Sequence, residues 1–201
     1  MTITYEFSDS LYVNMTNRCS NACTFCLRNN HDDVNGVDNL WLTREPTLEE
    51  IKEDFLKRDL TKYRAVVFCG YGEPTERFDD LIAVARWLKQ ISPDTPIRLN
   101  TNGQANLIMG RDVTPEMQGC IDTVSISLNA ENAEKYQAVC RSKFGGEAAF
   151  EGLKQFAVRA KQYVGEVIFS IVDLMTPEEI ERCRKIAEDC GVKFRVREYI
   201  V

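Results

Sequence analysis

Three cysteines, Cys19, Cys23 and Cys26, lie within eight residues of one another in "NRCSNACTFCLRN". Thiolates at this spacing are metal ligands, yet iron–sulfur clusters and structural zinc normally take four. A four-iron cluster held by only three thiolates keeps one iron open to a further ligand, as catalytic zinc keeps an exchangeable position. Two other sites compete for the same residues. Cys23-x2-Cys26-x4-His31 follows a zinc-knuckle spacing, but Gly36 stands where the last cysteine belongs, and His31 is the single histidine. A closed four-cysteine cluster for electron transfer needs a distant ligand, and Cys69 is the best candidate. The remaining cysteines read as structural. Cys183 and Cys190 share an apolar helix stripe with Ile180 and Ile186, where cysteine acts as a small hydrophobe. Cys120 and Cys140 have no partner at ligand spacing.

Further polar groups with chemical potential occur at "GYGEP" (70–74), "NTNG" (100–103) and "SLN" (127–129). Gly70 and Gly72 allow close backbone approach, and Glu73 can accept from a cation. Asn100, Asn102 and Ser127 are short hydrogen-bonding side chains suited to hydroxyl groups. Taken singly, each motif is equally explained by turn chemistry. Their position in the chain decides between these readings.

Six apolar, β-branched runs read as strands: 10–15, 65–70, 97–102, 122–128, 165–172 and 193–199. Helical patterns alternate with them. Thr47 and Glu50 form a capping box that opens one helix, and Thr176, Pro177 and Glu179 open another that Gly191 stops. Leu81, Val84, Leu88 and Ile91 line one face of a third, and Phe150, Leu153, Phe156 and Ala160 one face of a fourth. The segment 105–119 is interrupted by Gly110 and Pro115. Alternation of this kind means right-handed βαβ units on a parallel sheet. Six units are two short of a closed eight-stranded barrel, so the expected fold is an α/β open partial (β/α)6 barrel with outer helices, a single domain over 1–201. The cysteine cluster and the three polar motifs then fall at four successive strand carboxyl ends, where such folds place their chemistry.

The 201 residues carry a net charge of −6, with 44% hydrophobic and 28% charged residues. An acidic balance argues against non-specific binding to a nucleic-acid backbone. The N-terminus "MTITYEFSDS" has no signal-peptide pattern, and no run approaches the ~20 apolar residues of a membrane span. The expected compartment is the cytoplasm, where thiols stay reduced. Leu27 to Pro46, with "HDDVNGVDN" and Trp41, is long for a loop and reads as a lid or partner surface.

"CSNACTFC", C-x3-C-x2-C with an aromatic before the last cysteine, resembles the signature of the radical S-adenosylmethionine (SAM) superfamily. The wording "YVNMTNRCSNACTFCLRN", "GYGEPT" and "RLNTNG" is most similar to the small radical SAM proteins associated with TatD-type nucleases. The resemblance implies a [4Fe–4S] cluster on Cys19, Cys23 and Cys26, whose open iron takes the amino and carboxylate groups of SAM. Reductive cleavage of SAM would then give a 5′-deoxyadenosyl radical that acts on a substrate. "GYGEP" resembles the motif that meets the methionyl ammonium, with Glu73 as acceptor and Gly70 and Gly72 alongside; Tyr71 departs from it. Asn100, Asn102 and Ser127 would contact ribose or carboxylate, with Thr101 and Asn129 behind them. Arg141 would pair with the SAM carboxylate, the alternative being a surface salt bridge, Phe25 would pack on cluster or adenine, and the backbone of 170–172 would hold adenine. An external low-potential electron donor of flavodoxin or ferredoxin type is implied. The substrate is not, and a macromolecule is among the candidates. A glycyl-radical-enzyme activase and a non-catalytic iron–sulfur carrier or redox sensor are the alternative functions.

Overall fold

The β-branched runs pair in strict sequence order. The computed structural model describes residues 1–29 and 39–198. One sheet runs β1 (Thr4–Phe7), β2 (Ser10–Val13), β3 (Val66–Phe68), β4 (Ile97–Thr101), β5 (Thr123–Ser127), β6 (Glu166–Val172) and β7 (Lys193–Arg197). Strands β2 to β7 are parallel, and they are the six strands expected. Strand β1 was not anticipated. It pairs antiparallel with β2 through a tight turn in which Ser8 takes φ 54°. β7 does not return to β1, so the barrel stays open.

Helices α1 (Leu48–Leu56), α2 (Phe78–Ile91), α3 (Ala105–Met109), α4 (Ala133–Cys140), α5 (Gly146–Ala160) and α6 (Pro177–Cys190) cross between the strands. Both expected capping boxes form: Glu50 N–H donates to Thr47 Oγ1 at 3.2 Å, and Glu179 N–H to Thr176 Oγ1 at 3.3 Å. Gly191 ends α6 at φ 65°. Helix α4 is an addition to the expected pattern, capped by Asn132, whose side chain accepts from Lys135 N–H at 2.8 Å.

Strand alternation sorts the side chains into two layers. Leu11, Phe68, Leu99, Ile126, Phe169 and their neighbours meet the helices in the principal core, with Cys183 and Cys120 among them. The other face is polar and concave. Tyr12 on β2 and Arg195 on β7 act on each other electrostatically, although five strand spacings would separate them by about 24 Å on a flat sheet. Among the described residues no helix is long and apolar enough to cross a membrane.

Candidate active site

The cysteine loop leaves the carboxyl end of β2 and is docked by its backbone. Ala22 N–H donates to Cys140 O at 3.0 Å, Thr24 N–H to Val139 O at 2.9 Å, and Lys143 N–H to Ser20 O at 2.9 Å. The last turn of α4 therefore forms the seat of the loop. A buried polar network backs this seat. Gln104 Nε2 donates to Asn21 Oδ1 at 2.9 Å and to Tyr136 OH at 2.8 Å, while Ser142 Oγ donates to Gln104 Oε1 at 2.9 Å. Asn102 Nδ2 reaches Ser20 Oγ at 2.8 Å. Every member is satisfied by another member, and such networks hold one geometry. None of Asn21, Gln104, Tyr136 and Ser142 stood out in the sequence.

Cys19, Cys23 and Cys26 are all half-buried. Burial pushes the Cys19 thiol up to about 12 and raises Cys26. Cys23 is held below the ordinary thiol value, chiefly by a hydrogen bond from Cys140, and that same bond, with burial, raises Cys140. Cys140, which has no partner at ligand spacing in the sequence, is brought by the fold to Cys23 as a hydrogen-bond donor. Arg28 faces the loop, and its charge lowers all three thiols. Its guanidinium also donates to Asn17 O at 3.3 Å and Asn21 O at 3.4 Å.

These residues fit an iron–sulfur cluster. Three thiols share one loop, a cation offsets thiolate charge, and a second thiol donates to the middle cysteine. Among the described residues no three His, Cys, Asp or Glu groups converge on a single ion. His31 and Gly36, which bore on the zinc alternative, lie outside the described residues, as does the middle of the 27–46 loop. Its described end is packed down: Asn14 Nδ2 donates to Leu40 O at 2.6 Å, and Leu42 N–H to Asn17 Oδ1 at 3.1 Å.

Glu73 sits at the carboxyl end of β3, 5% exposed. Its Oε1 accepts from Thr75 N–H at 3.1 Å, Thr75 Oγ1 at 2.7 Å and Thr101 Oγ1 at 2.7 Å; its Oε2 accepts from Asn102 N–H at 2.7 Å. Burial pushes this carboxyl up, against the pull of those donors. Glu73 thus ties the end of β3 to the end of β4, and its own N–H donates to Arg18 O at 2.8 Å in the cysteine loop. The glycines serve the same contact. A Cβ on Gly70 would lie 2.1 Å from Asn14 Oδ1, and one on Gly72 2.2 Å from Thr16 O. Gly72→Ala is expected to cost about 1–3 kcal/mol, as overpacking against fixed backbone does. Urea unfolding of the apo-protein measures it, and an unchanged midpoint would contradict the close approach. Tyr71 turns into a small aromatic cluster with Tyr5 and Leu40, and Trp41 meets it edge-on at 5.3 Å.

Other sequence candidates divide. Asn102 joins the clamp: beyond Ser20 it accepts from Gln104 N–H at 3.0 Å. Asn100 lies on the concave face, accepting from Arg98 Nε at 2.9 Å and bonding Cys69. Ser127 is on the same face at the end of β5, in register with Ser170. Phe25 is half-buried against the principal core. Arg141 caps α4 at φ 49°, exposed at the surface, and its carbonyl accepts from Ala22 N–H at 3.3 Å. Cys69 stands apart from the loop cysteines; its charged neighbours are Arg197, Glu73 and Arg98.

An open parallel barrel with a three-thiol loop at its strand mouth has the donor set an iron–sulfur cluster takes. The Radical SAM superfamily model matches residues 13–190, and the chain belongs to that superfamily. The chain spans little more than half the length of the first curated relative it matches. It is 29% identical over 202 residues to a probable GTP 3′,8-cyclase of Methanocaldococcus jannaschii, a match covering 95% of this chain and 59% of that one. It is 31% identical over 137 residues to the GTP 3′,8-cyclase of Corynebacterium glutamicum, covering 65% of this chain and 33% of the relative. In fold it is similar to Streptococcus suis SuiB bound to S-adenosylmethionine, with TM-score 0.66 and 14% identity over 96% of this chain and 40% of that one. It is also similar to methylornithine synthase (PylB), with TM-score 0.65 and 16% identity over 95% of this chain and 53% of that one.

Proposed function

We propose that this chain cleaves SAM reductively at a cluster held by Cys19, Cys23 and Cys26 and directs the resulting 5′-deoxyadenosyl radical at a substrate on the concave face. The observation that carries this reading is the clamp. Strand-end residues Glu73 and Asn102 are bonded to the very loop that bears the thiols, so cofactor and cluster sites form one rigid unit. When bound, the cluster and SAM supply the electron transfer and the hydrogen-abstracting radical. The chain's own part is positional. Arg28 and Cys140 set the charge around the thiols, Gly70 and Gly72 keep the loop tight, and Asn100, Ser127 and Arg141 offer contacts to nucleoside and carboxylate.

An external flavodoxin- or ferredoxin-type donor belongs to this proposal, because reductive cleavage of SAM consumes an electron that neither SAM nor the oxidised cluster supplies. "GYGEPT" and "RLNTNG" support a place among the small TatD-associated proteins within the superfamily. GTP, which the curated relatives' names specify, is the first substrate to try. Anaerobically reconstituted, dithionite-reduced protein is expected to release 5′-deoxyadenosine and methionine slowly even without substrate. The electron paramagnetic resonance signal of the reduced cluster is expected to shift on SAM addition and to couple to nitrogen-15 in the methionyl amino group. An unperturbed signal at saturating SAM would mean a closed cluster and overturn the proposal.

A further inference from the structure

The concave face carries three arginines that the cluster clamp does not use. Arg98 lies on β4, and Arg195 and Arg197 on β7. Register sets all three on the concave side: Arg98 is in line with Thr123 and Glu166, and Arg195 and Arg197 stand opposite Ser170 and Val172. Arg195 depresses Arg98, and both Arg195 and Arg98 depress Arg197, after burial has lowered each. Among the described residues none of the three has a carboxylate at ion-pair distance. The nearby Glu166 acts on Arg98 but is itself bridged to Lys193. Arg98 spends its Nε on Asn100, a neutral acceptor. Arg197 Nε is buried and has no hydrogen-bond partner.

This arrangement is costly as it stands. Partly desolvated like charges repel, and a buried guanidinium N–H without an acceptor forfeits its hydration. A protein keeps such a group where a counter-charge arrives from outside. Guanidinium matches planar or tetrahedral oxyanions through paired N–H bonds, and three of them suit a polyanion. Tyr12 and Cys69 favour the charged form of Arg98, and Cys69 that of Arg197, but neither is a carboxylate.

We propose that Arg98, Arg195 and Arg197 form the receptor for an oxyanion group of the substrate, a phosphate ester or a carboxylate cluster, on the concave face of the sheet. The inference rests on the radical SAM reading for the word substrate, but the receptor itself does not depend on catalysis. It sits on β4 and β7, whereas the cysteine loop is seated on α4 and tied to the ends of β3 and β4. The acidic chain as a whole repels polyanions, so a local basic patch inside it selects by position.

Calorimetric titration of the reconstituted protein, with SAM present and absent, tests this with two probes: inorganic pyrophosphate and citrate. Pyrophosphate is expected to bind one to one and to weaken at least tenfold in Arg197→Gln and in Arg98→Gln, with affinity falling steeply as salt rises. Tighter citrate than pyrophosphate assigns the receptor to carboxylates, and the reverse to phosphate. Should Arg197→Gln fail to fold, Arg195→Gln, at an exposed position, carries the same expectation. Lys185→Gln on the outer surface of α6 is the control for general charge. The proposal is overturned if neither probe binds saturably, or if the arginine variants bind both as wild type does. It is equally overturned if those variants lose SAM affinity as strongly as pyrophosphate affinity, since the arginines would then belong to the cofactor. Failure of SAM cleavage with intact pyrophosphate binding would instead count against the catalytic reading alone.

Discussion

Cys19→Ala, Cys23→Ala and Cys26→Ala are each expected to abolish cluster assembly and SAM cleavage, while Cys69→Ser and Cys140→Ser keep both. Wild-type protein reconstituted without oxygen should hold about four irons and four sulfides per chain. The three thiols are half-buried on one docked loop, so removing one leaves two ligands for a cluster that needs three. Cys69 lies on the concave face among Arg98, Arg197 and Asn100, away from the loop. Cys140 touches Cys23, and a serine hydroxyl there can donate the same bond. Iron and sulfide analysis decides the matter. Loss of iron in Cys69→Ser or Cys140→Ser would show a fourth protein ligand, and the open coordination position would be gone.

How much of this was legible in the chain depends on range. Local signals survived folding. The two capping boxes, the Gly191 stop and the apolar runs act within four or five residues, and the sheet follows from their alternation. Strand β1 was missed because "TYEF" is short and its hairpin turns on Ser8 at positive φ, which serine rarely adopts. Helix α4 was missed because "AEKYQAVC" buries only Tyr136 and Cys140, too thin a stripe to show a period. The site divides in the same way. The cysteine spacing and the strand-end motifs are contiguous and could be read. The polar network behind the loop's seat could not, since Asn21 and Tyr136 are 115 positions apart and neither type by itself signals burial. Arg28 was a missed signal of a simpler kind: it lies two residues beyond Cys26, where a cation beside clustered thiols could have been weighed.

Glu73→Ala is expected to weaken the apo-fold and SAM binding together. The family resemblance of "GYGEP" makes Glu73 the expected acceptor for the methionyl ammonium, and loss of one charge-assisted hydrogen bond, about 1.5–3 kcal/mol, lowers SAM affinity roughly tenfold to a hundredfold. The structure adds a second duty. Three donors already fill Oε1 and one occupies Oε2, so only the remaining lone pair of Oε2 is left for a ligand. Alanine strands the N–H groups of Thr75 and Asn102, at about 1–3 kcal/mol each, and frees Asn102 to release Ser20. Glu73→Gln separates the two duties. Its carbonyl can keep the Oε1 donors while its amide faces Asn102 N–H, so it loses one backbone bond and the charge, with little change in volume. The ordering expected for the urea midpoint of the apo-protein is wild type, then Gln, then Ala. SAM affinity should fall at least tenfold in both variants, because neither presents a carboxylate. Thr101→Val is the complementary probe: it removes a donor from Oε1, lowers stability, and leaves the Oε2 lone pair in place. A Glu73→Ala midpoint equal to wild type would show that the carboxylate is only a ligand. SAM affinity unchanged in Glu73→Gln would show that it is only a clamp.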